Sequence, residues 1–213
     1  MSQLRRPILF RPGAKCWTAP ATGDDAALAF RFHQSLPQYQ PSPLVSLDKV
    51  AEDLGIGAVF VKYEGNRFDL PSFKILGASW GTFRVVCQKL GIGAEASLER
   101  VTKALAHENF TLYAATDGNH GRAVGRMGAI LGIPVEIHIP ASMPQPTVEL
   151  IEKEGARIVR SDGNYDDAIA AAYAAATSTS QGLFIQDTAF SGYEEIPTVC
   201  AVRTLHPSGT RLS

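Results

Sequence analysis

Lys74 follows a polar loop at 66–72 and opens a run with helical periodicity. A lysine at a helix N-terminus sits near the positive end of the helix dipole. That setting, like desolvation, favours the neutral amine, the form that makes Schiff bases. The same residue also fits a solvated lysine in a first helical turn. A second candidate is Ala115-Thr116-Asp117-Gly118-Asn119-His120-Gly121, set between an apolar run and an amphipathic one. Gly118 and Gly121 permit unusual dihedrals and close approach. Free N–H groups at the start of the following helix can hold an anion such as a carboxylate. A capped strand-to-helix turn, with Asp117 and Asn119 as its polar pair, accounts for these residues equally well.

The elements that must position these groups alternate. The pattern predicts strands at 58–63, 111–115, 134–139, 157–160 and 183–186, with the first of them buried. It predicts helices at 74–90, 97–107, from the glycine turn to about Gly132, at 146–154, and over the alanine-rich run 168–176. Gly91, Gly132 and Gly155 mark helix ends, and Asn164 is the expected N-cap of the alanine-rich helix, with Ile169, Tyr173 and Ala176 on one face. Short β-branched runs separated by helices imply right-handed crossovers and a parallel sheet. Ligands of open parallel sheets sit at the carboxyl ends of the strands. Three places are thereby singled out: the turn after 111–115, the residues after 183–186, and the loop after 58–63.

Composition narrows the class. The 213 residues are 45% hydrophobic and 19% charged, with a formal charge of -1. This lacks the basic excess of a nucleic-acid binder and the low hydrophobicity or high charge of a disordered chain. No apolar run is long enough to span a membrane. Cys16, Cys87 and Cys200 are too few and too scattered for a disulfide framework or a zinc site, and no metal ligand set is expected. A reducing, cytoplasmic setting is the simpler expectation. The arginines before Asp24 read as an ordinary basic arm; Pro7 and Pro12 interrupt the amphipathic helix a transit peptide would need. Gly91-Ile92-Gly93 follows a helix, where a dinucleotide loop needs a preceding strand. Asp162-Gly163-Asn164 has Asp167 where a calcium loop needs glycine.

Taken together, three separated motifs resemble the fold type II (tryptophan synthase β-like) pyridoxal-phosphate enzymes, and among them the diaminopropionate ammonia-lyases. They are Asn66-Arg67-Phe68 with Phe73-Lys74-Ile75-Leu76-Gly77, then Ala115 through Gly121, then Gln186-Asp187-Thr188-Ala189-Phe190 with Gly192-Tyr193-Glu194-Glu195-Ile196-Pro197. The resemblance runs from about Phe10 to Pro197. It implies the three-layer α/β parallel-sheet fold of that family and pyridoxal phosphate as cofactor. The implied reaction is α,β-elimination of 2,3-diaminopropionate to pyruvate and ammonia.

By the resemblance, Lys74 would carry the cofactor and act as a base on the α-proton. Phe73 would lie beside the cofactor, and Asn119 would bind its phenolic oxygen. The turn with Thr116, Gly118 and His120 would hold the substrate carboxylate. Asp117 would be the base suited to the D-enantiomer, and Asp187 would position the second amine. The family also implies a small amino-acid substrate and a homodimer, with no nucleic-acid or membrane partner. The dehydratases usually have serine at the position of Asp117, so a threonine/serine dehydratase is the second enzyme reading.

Beyond Pro197 the resemblance is expected to end, with His206-Pro207-Ser208-Gly209 as an exposed tail. The family's phosphate loop and the group facing the pyridine nitrogen belong to a second half. The sequence is therefore expected to hold the small α/β domain at 92–180 and incomplete portions of the large domain at 1–91 and 181–213. An inactive fragment or a non-catalytic remnant is the corresponding alternative to an active lyase.

Overall fold

The structure is a computed structural model and describes residues 23–202. The basic N-terminal arm, Cys16 and the tail at 206–209 lie outside the described residues. The elements in chain order are α1 (Gly23–Ser35), β1 (Leu44–Ser46), α2 (Asp48–Leu54), β2 (Phe60–Lys62), α3 (Lys74–Leu90), α4 (Leu98–Leu105) and β3 (Thr111–Ala115). They continue with α5 (Asn119–Leu131), β4 (Val135–Ile139), α6 (Gln145–Glu152), β5 (Arg157–Arg160), α7 (Tyr165–Thr177), β6 (Gly182–Phe184) and α8 (Glu195–Val202).

Strand alternation builds the central layers. β5, β4, β3 and β6 form a parallel sheet in that order, with Leu112 opposite both Val135 and Leu183. Along β3, Leu112 and Ala114 point into the main core with α5, while Ala115 and Tyr113 face α7. Side chains of a strand alternate faces, so helices cover both sides of the sheet and make three layers. The central strand β4 is buried along its whole length. Its two polar residues satisfy each other: His138 Nε2 lies 2.8 Å from Glu136 Oε1, and Arg157 pairs with the other oxygen of Glu136. His138 is thus a strand residue with a local partner.

The helix ends follow the sequence signals. Gly91 and Gly132 close α3 and α5 in the left-handed conformation, at φ 65° and 71°. Asn164 caps α7 through Asp166 and Asp167 N–H, and the Asp167 carboxylate returns a bond to Asn164 N–H. The buried stripe of α7 differs from the one expected. Ala168, Ala172 and Ala176 are buried, with Ile169 partly buried beside them and Tyr173 exposed, its ring edge-on to Phe184. Small side chains let the helix approach the sheet, and the bulkier pair is left to flank the contact.

The segment at 58–63 needs correction. It is no buried strand of the parallel sheet: β2 pairs antiparallel with β1 in a separate two-stranded sheet. Phe60, Val61 and Tyr63 are exposed. An apolar run reads alike in a core strand and in a surface ribbon, because periodicity carries no information about what covers it. The residues around Pro197 form a helix that was not among the expected elements. Helix α8 continues through them and packs on α3, with Cys200 buried against Gly77 and Gly81. A Cβ at Gly77 would stand 2.8 Å from Cys200 O, so the two glycines, four apart on one helix face, open the groove that seats α8.

Replacing Asn164 by Ala removes the side-chain half of the α7 cap and leaves the backbone N–H of that position on Asp167. The expected loss is about 1 kcal/mol of stability, read as a lowered urea midpoint with an unchanged slope.

Candidate active site

Three segments converge at the carboxyl end of the parallel sheet. Lys74 is the first residue of α3, and its N–H donates to Ser72 Oγ at 3.2 Å. Its amine lies 2.5 Å from Asp187 Oδ2. Asp187 follows β6, and β6 is held beside β3, the strand that feeds the glycine turn. The pair therefore joins residues 113 positions apart. Lys74 is accordingly no freely solvated lysine.

The glycine turn is organised by Thr116. Its Oγ1 accepts from Gly118 N–H at 2.9 Å and Gly121 N–H at 2.8 Å. Gly118 stands at φ 145°, where a side chain is rarely tolerated. A Cβ at Gly121 would meet Thr116 Cγ2 at 2.5 Å. Neither Asp117 nor Asn119 caps α5; both are exposed, so the capped-turn reading fails for that pair. The N–H groups of Asn119 and His120 have no protein partner among the described residues. A helix start of this kind accommodates a carboxylate.

His120 points the other way, into the protein. Its Nε2 is 2.9 Å from Ile185 O. A carbonyl only accepts, so Nε2 carries the proton and Nδ1 faces Asp187 Oδ2 at 3.6 Å. Burial lowers the His120 pKa, against the opposing pull of Asp187. For Asp187, burial alone would raise the carboxyl; His120 and the Lys74 ammonium outweigh it and hold the group below its ordinary value.

Phe73, Lys74, Gly77, Ala78, His120, Asp187 and Cys200 line a cavity of about 200 Å³. Its walls are an aromatic ring, small aliphatic groups and one ion pair. Among the described residues no cluster could hold a metal ion, and no helix is long and apolar enough to cross a membrane.

A profile of the family described as pyridoxal-phosphate dependent enzyme matches residues 36–197. The chain belongs to the pyridoxal-phosphate-dependent enzymes. It is 37% identical over 174 residues to diaminopropionate ammonia-lyase of Escherichia coli K12, covering 81% of this chain and 43% of that protein. Two solved structures of the Escherichia coli enzyme are similar. The complex with D-serine has a TM-score of 0.77 at 36% identity, over 84% of this chain and 45% of that one. The complex with an aminoacrylate–pyridoxal phosphate azomethine intermediate has a TM-score of 0.74 at 34% identity, over 83% and 44%. This chain thus spans less than half the length of the relatives it matches.

The residues present fit the reacting side of the family's cofactor. A lysine amine opens on a cavity walled on one side by Gly77 and Ala78, and a partly buried carboxylate holds that amine. One neighbour, Tyr165, escaped sequence reasoning. Tyr165 OH accepts from Gln186 Nε2 at 2.9 Å, and Gln186 Oε1 accepts from Ala115 N–H at 3.1 Å. Burial raises the Tyr165 phenol, and the Asp187 and Asp117 carboxylates add to it. The signal was available: Tyr165 follows β5 and lies at the same carboxyl edge. Cys200 also lines the cavity, beyond the last residue of the resemblance.

Both shifted groups oppose acid. His120 is lowered in the folded chain, so stability begins to fall as pH drops below its unfolded value near 6.5. Asp187 is also lowered; its contribution is complete above about 3.8 and is lost as pH falls through its own value. The urea midpoint is expected to decline in two stages on acidification. His120→Gln should remove the first stage and Asp187→Asn the second.

Proposed function

We propose that this chain provides the lysine, the carboxylates and the substrate-binding turn of an ammonia-lyase that converts 2,3-diaminopropionate to pyruvate and ammonia. The observation that carries the reading is the Lys74–Asp187–His120 cluster at the rim of the glycine turn. The relatives named above support it.

When bound, pyridoxal phosphate supplies the electron sink for a carbanion at the substrate α-carbon. Lys74 would hold the cofactor, and its amine would take the α-proton. Phe73 and Asn119 would help hold the cofactor, Asn119 through its side-chain amide. The N–H groups at the start of α5 take the substrate carboxylate, and Thr116 keeps that turn open by occupying Gly118 and Gly121 N–H. A β-ammonium leaving group already carries positive charge, so Asp187 can receive it in a charge-assisted bond. His120, donating to Ile185 O, holds the end of β6 that carries Asp187 while Lys74 leaves the carboxylate. Asp117, exposed at the turn, would accept the proton of the D-enantiomer.

In the same reading, 92–180 with the addition of β6 is the smaller α/β unit. The segment 1–91 and the residues after β6 belong to the larger one. The contact of α8 with α3 supports this division. A homodimer and a cytoplasmic setting complete the proposal; Cys87 and Cys200, both free and buried, are consistent with a reducing compartment.

Two measurements test it. Borohydride reduction in the presence of pyridoxal phosphate, followed by peptide mass spectrometry, is expected to mark Lys74, and Lys74→Ala should lose the mark. Pyruvate release should be faster from diaminopropionate than 2-oxobutyrate release from threonine. Asp117→Asn should slow the D-substrate by about 10²-fold or more, the usual worth of a positioned base, and spare the L-substrate. Preferential turnover of threonine would replace the proposal with a dehydratase.

A further inference from the structure

Phe68 and Asp69 are consecutive non-glycine residues in the left-handed region, at φ 55° and 58°. Across them Arg67 N–H donates to Leu70 O at 2.8 Å, and Leu70 N–H donates to Arg67 O at 3.0 Å. This is the two-residue hairpin that ordinarily selects Asn-Gly. A β-carbon, and most of all a bulky one, disfavours that backbone. Nearby Gln38 is also left-handed, at φ 64°. These three are the non-glycine residues with positive φ among those described.

One side chain reaches both places. Arg126 Nη1, from α5, donates to Phe68 O at 3.0 Å and to Gln38 Oε1 at 3.2 Å. Arg126 Nε donates to Glu154 Oε2 at 2.7 Å, and Arg122 Nη2 donates to the other oxygen at 3.0 Å. The Glu154 side chain is 6% exposed. A planar fork can serve three acceptors in fixed directions, which an ammonium cannot do with equal rigidity. From the hairpin the chain needs only Pro71, Ser72 and Phe73 to reach Lys74. At the other end of the grip, α5 carries His120 in its first turn.

We propose that Arg126, braced by Glu154, is a positioning residue. It holds the strained 67–70 hairpin against the helix that carries His120, and so delivers the Lys74 amine to Asp187. The inference rests on the assignment of Lys74 as the cofactor-bearing lysine, and it extends that assignment to a residue that does not touch the cavity.

The test compares the wild-type chain with Arg126→Gln, and with Arg126→Gln combined with Asp69→Gly, by amide hydrogen exchange and by borohydride trapping of pyridoxal phosphate on Lys74. Arg126→Gln is expected to speed exchange at Arg67 and Leu70 about tenfold while Ala114 and Ile137 in the sheet stay protected. Trapping on Lys74 at subsaturating cofactor should fall. Adding Asp69→Gly should restore both, because glycine holds the left-handed turn without penalty; a lost packing contact would not be rescued this way. Glu154→Gln, which keeps the guanidinium and removes its brace, should give the same pattern at smaller size. Unchanged exchange in Arg126→Gln, or no rescue by Asp69→Gly, overturns the proposal. A wild-type chain with no mark on Lys74 defeats the cofactor assignment instead, and the exchange comparison alone then decides the clamp.

Discussion

The ion pair of Lys74 with Asp187 forms only if the N-terminus of α3 and the carboxyl end of β6 occupy one place. Its own energy is modest. The Lys74 side chain is 41% exposed, and pairs so open to solvent contribute about 0–1 kcal/mol. The pair therefore reports the fold more than it drives it. What places Asp187 is the register of β6 on β3, together with the His120 bond to Ile185 O two residues earlier. What places Lys74 is the hairpin and loop that precede it. Thr116 ties the third side by drawing the start of α5 onto the end of β3.

Much of this frame was legible in the residues. The strands at 111–115, 135–139 and 157–160 and the helices beginning at Lys74 and closed by Gly91 and Gly132 follow from alternation, period and glycine position. Each is a local signal that tertiary packing reinforces. The β1–β2 ribbon was not legible as a surface element, because its apolar residues match a core strand while pairing with another exposed strand. Helix α8 escaped for a related reason. Its seat on α3 is made by Gly77 and Gly81, which carry no hydrophobic signature of their own.

The site shows the same division. Lys74, Thr116, His120 and Asp187 were singled out by motif, and the fold brings them together. Their mutual roles were not readable, since these depend on which face of α5 each residue takes. His120 turns inward to Asp187, whereas Asp117 and Asn119 stay outside. Tyr165 was hidden by its place beside an Asn-Asp cap signal, although its phenol accepts from Gln186, next to Asp187. The Arg126 contacts are long-range throughout, and spacing on α5 alone does not reveal them.

The most direct measurement of the central claim is a ¹³C NMR titration of the Asp187 carboxyl carbon. The account predicts a midpoint below the ordinary value of 3.8, moving upward in Lys74→Ala as the partner charge is removed and His120 alone of the two is left to oppose burial. A midpoint at or above the ordinary value in the wild type, or one that Lys74→Ala leaves unmoved, would contradict the coupling on which the site is built.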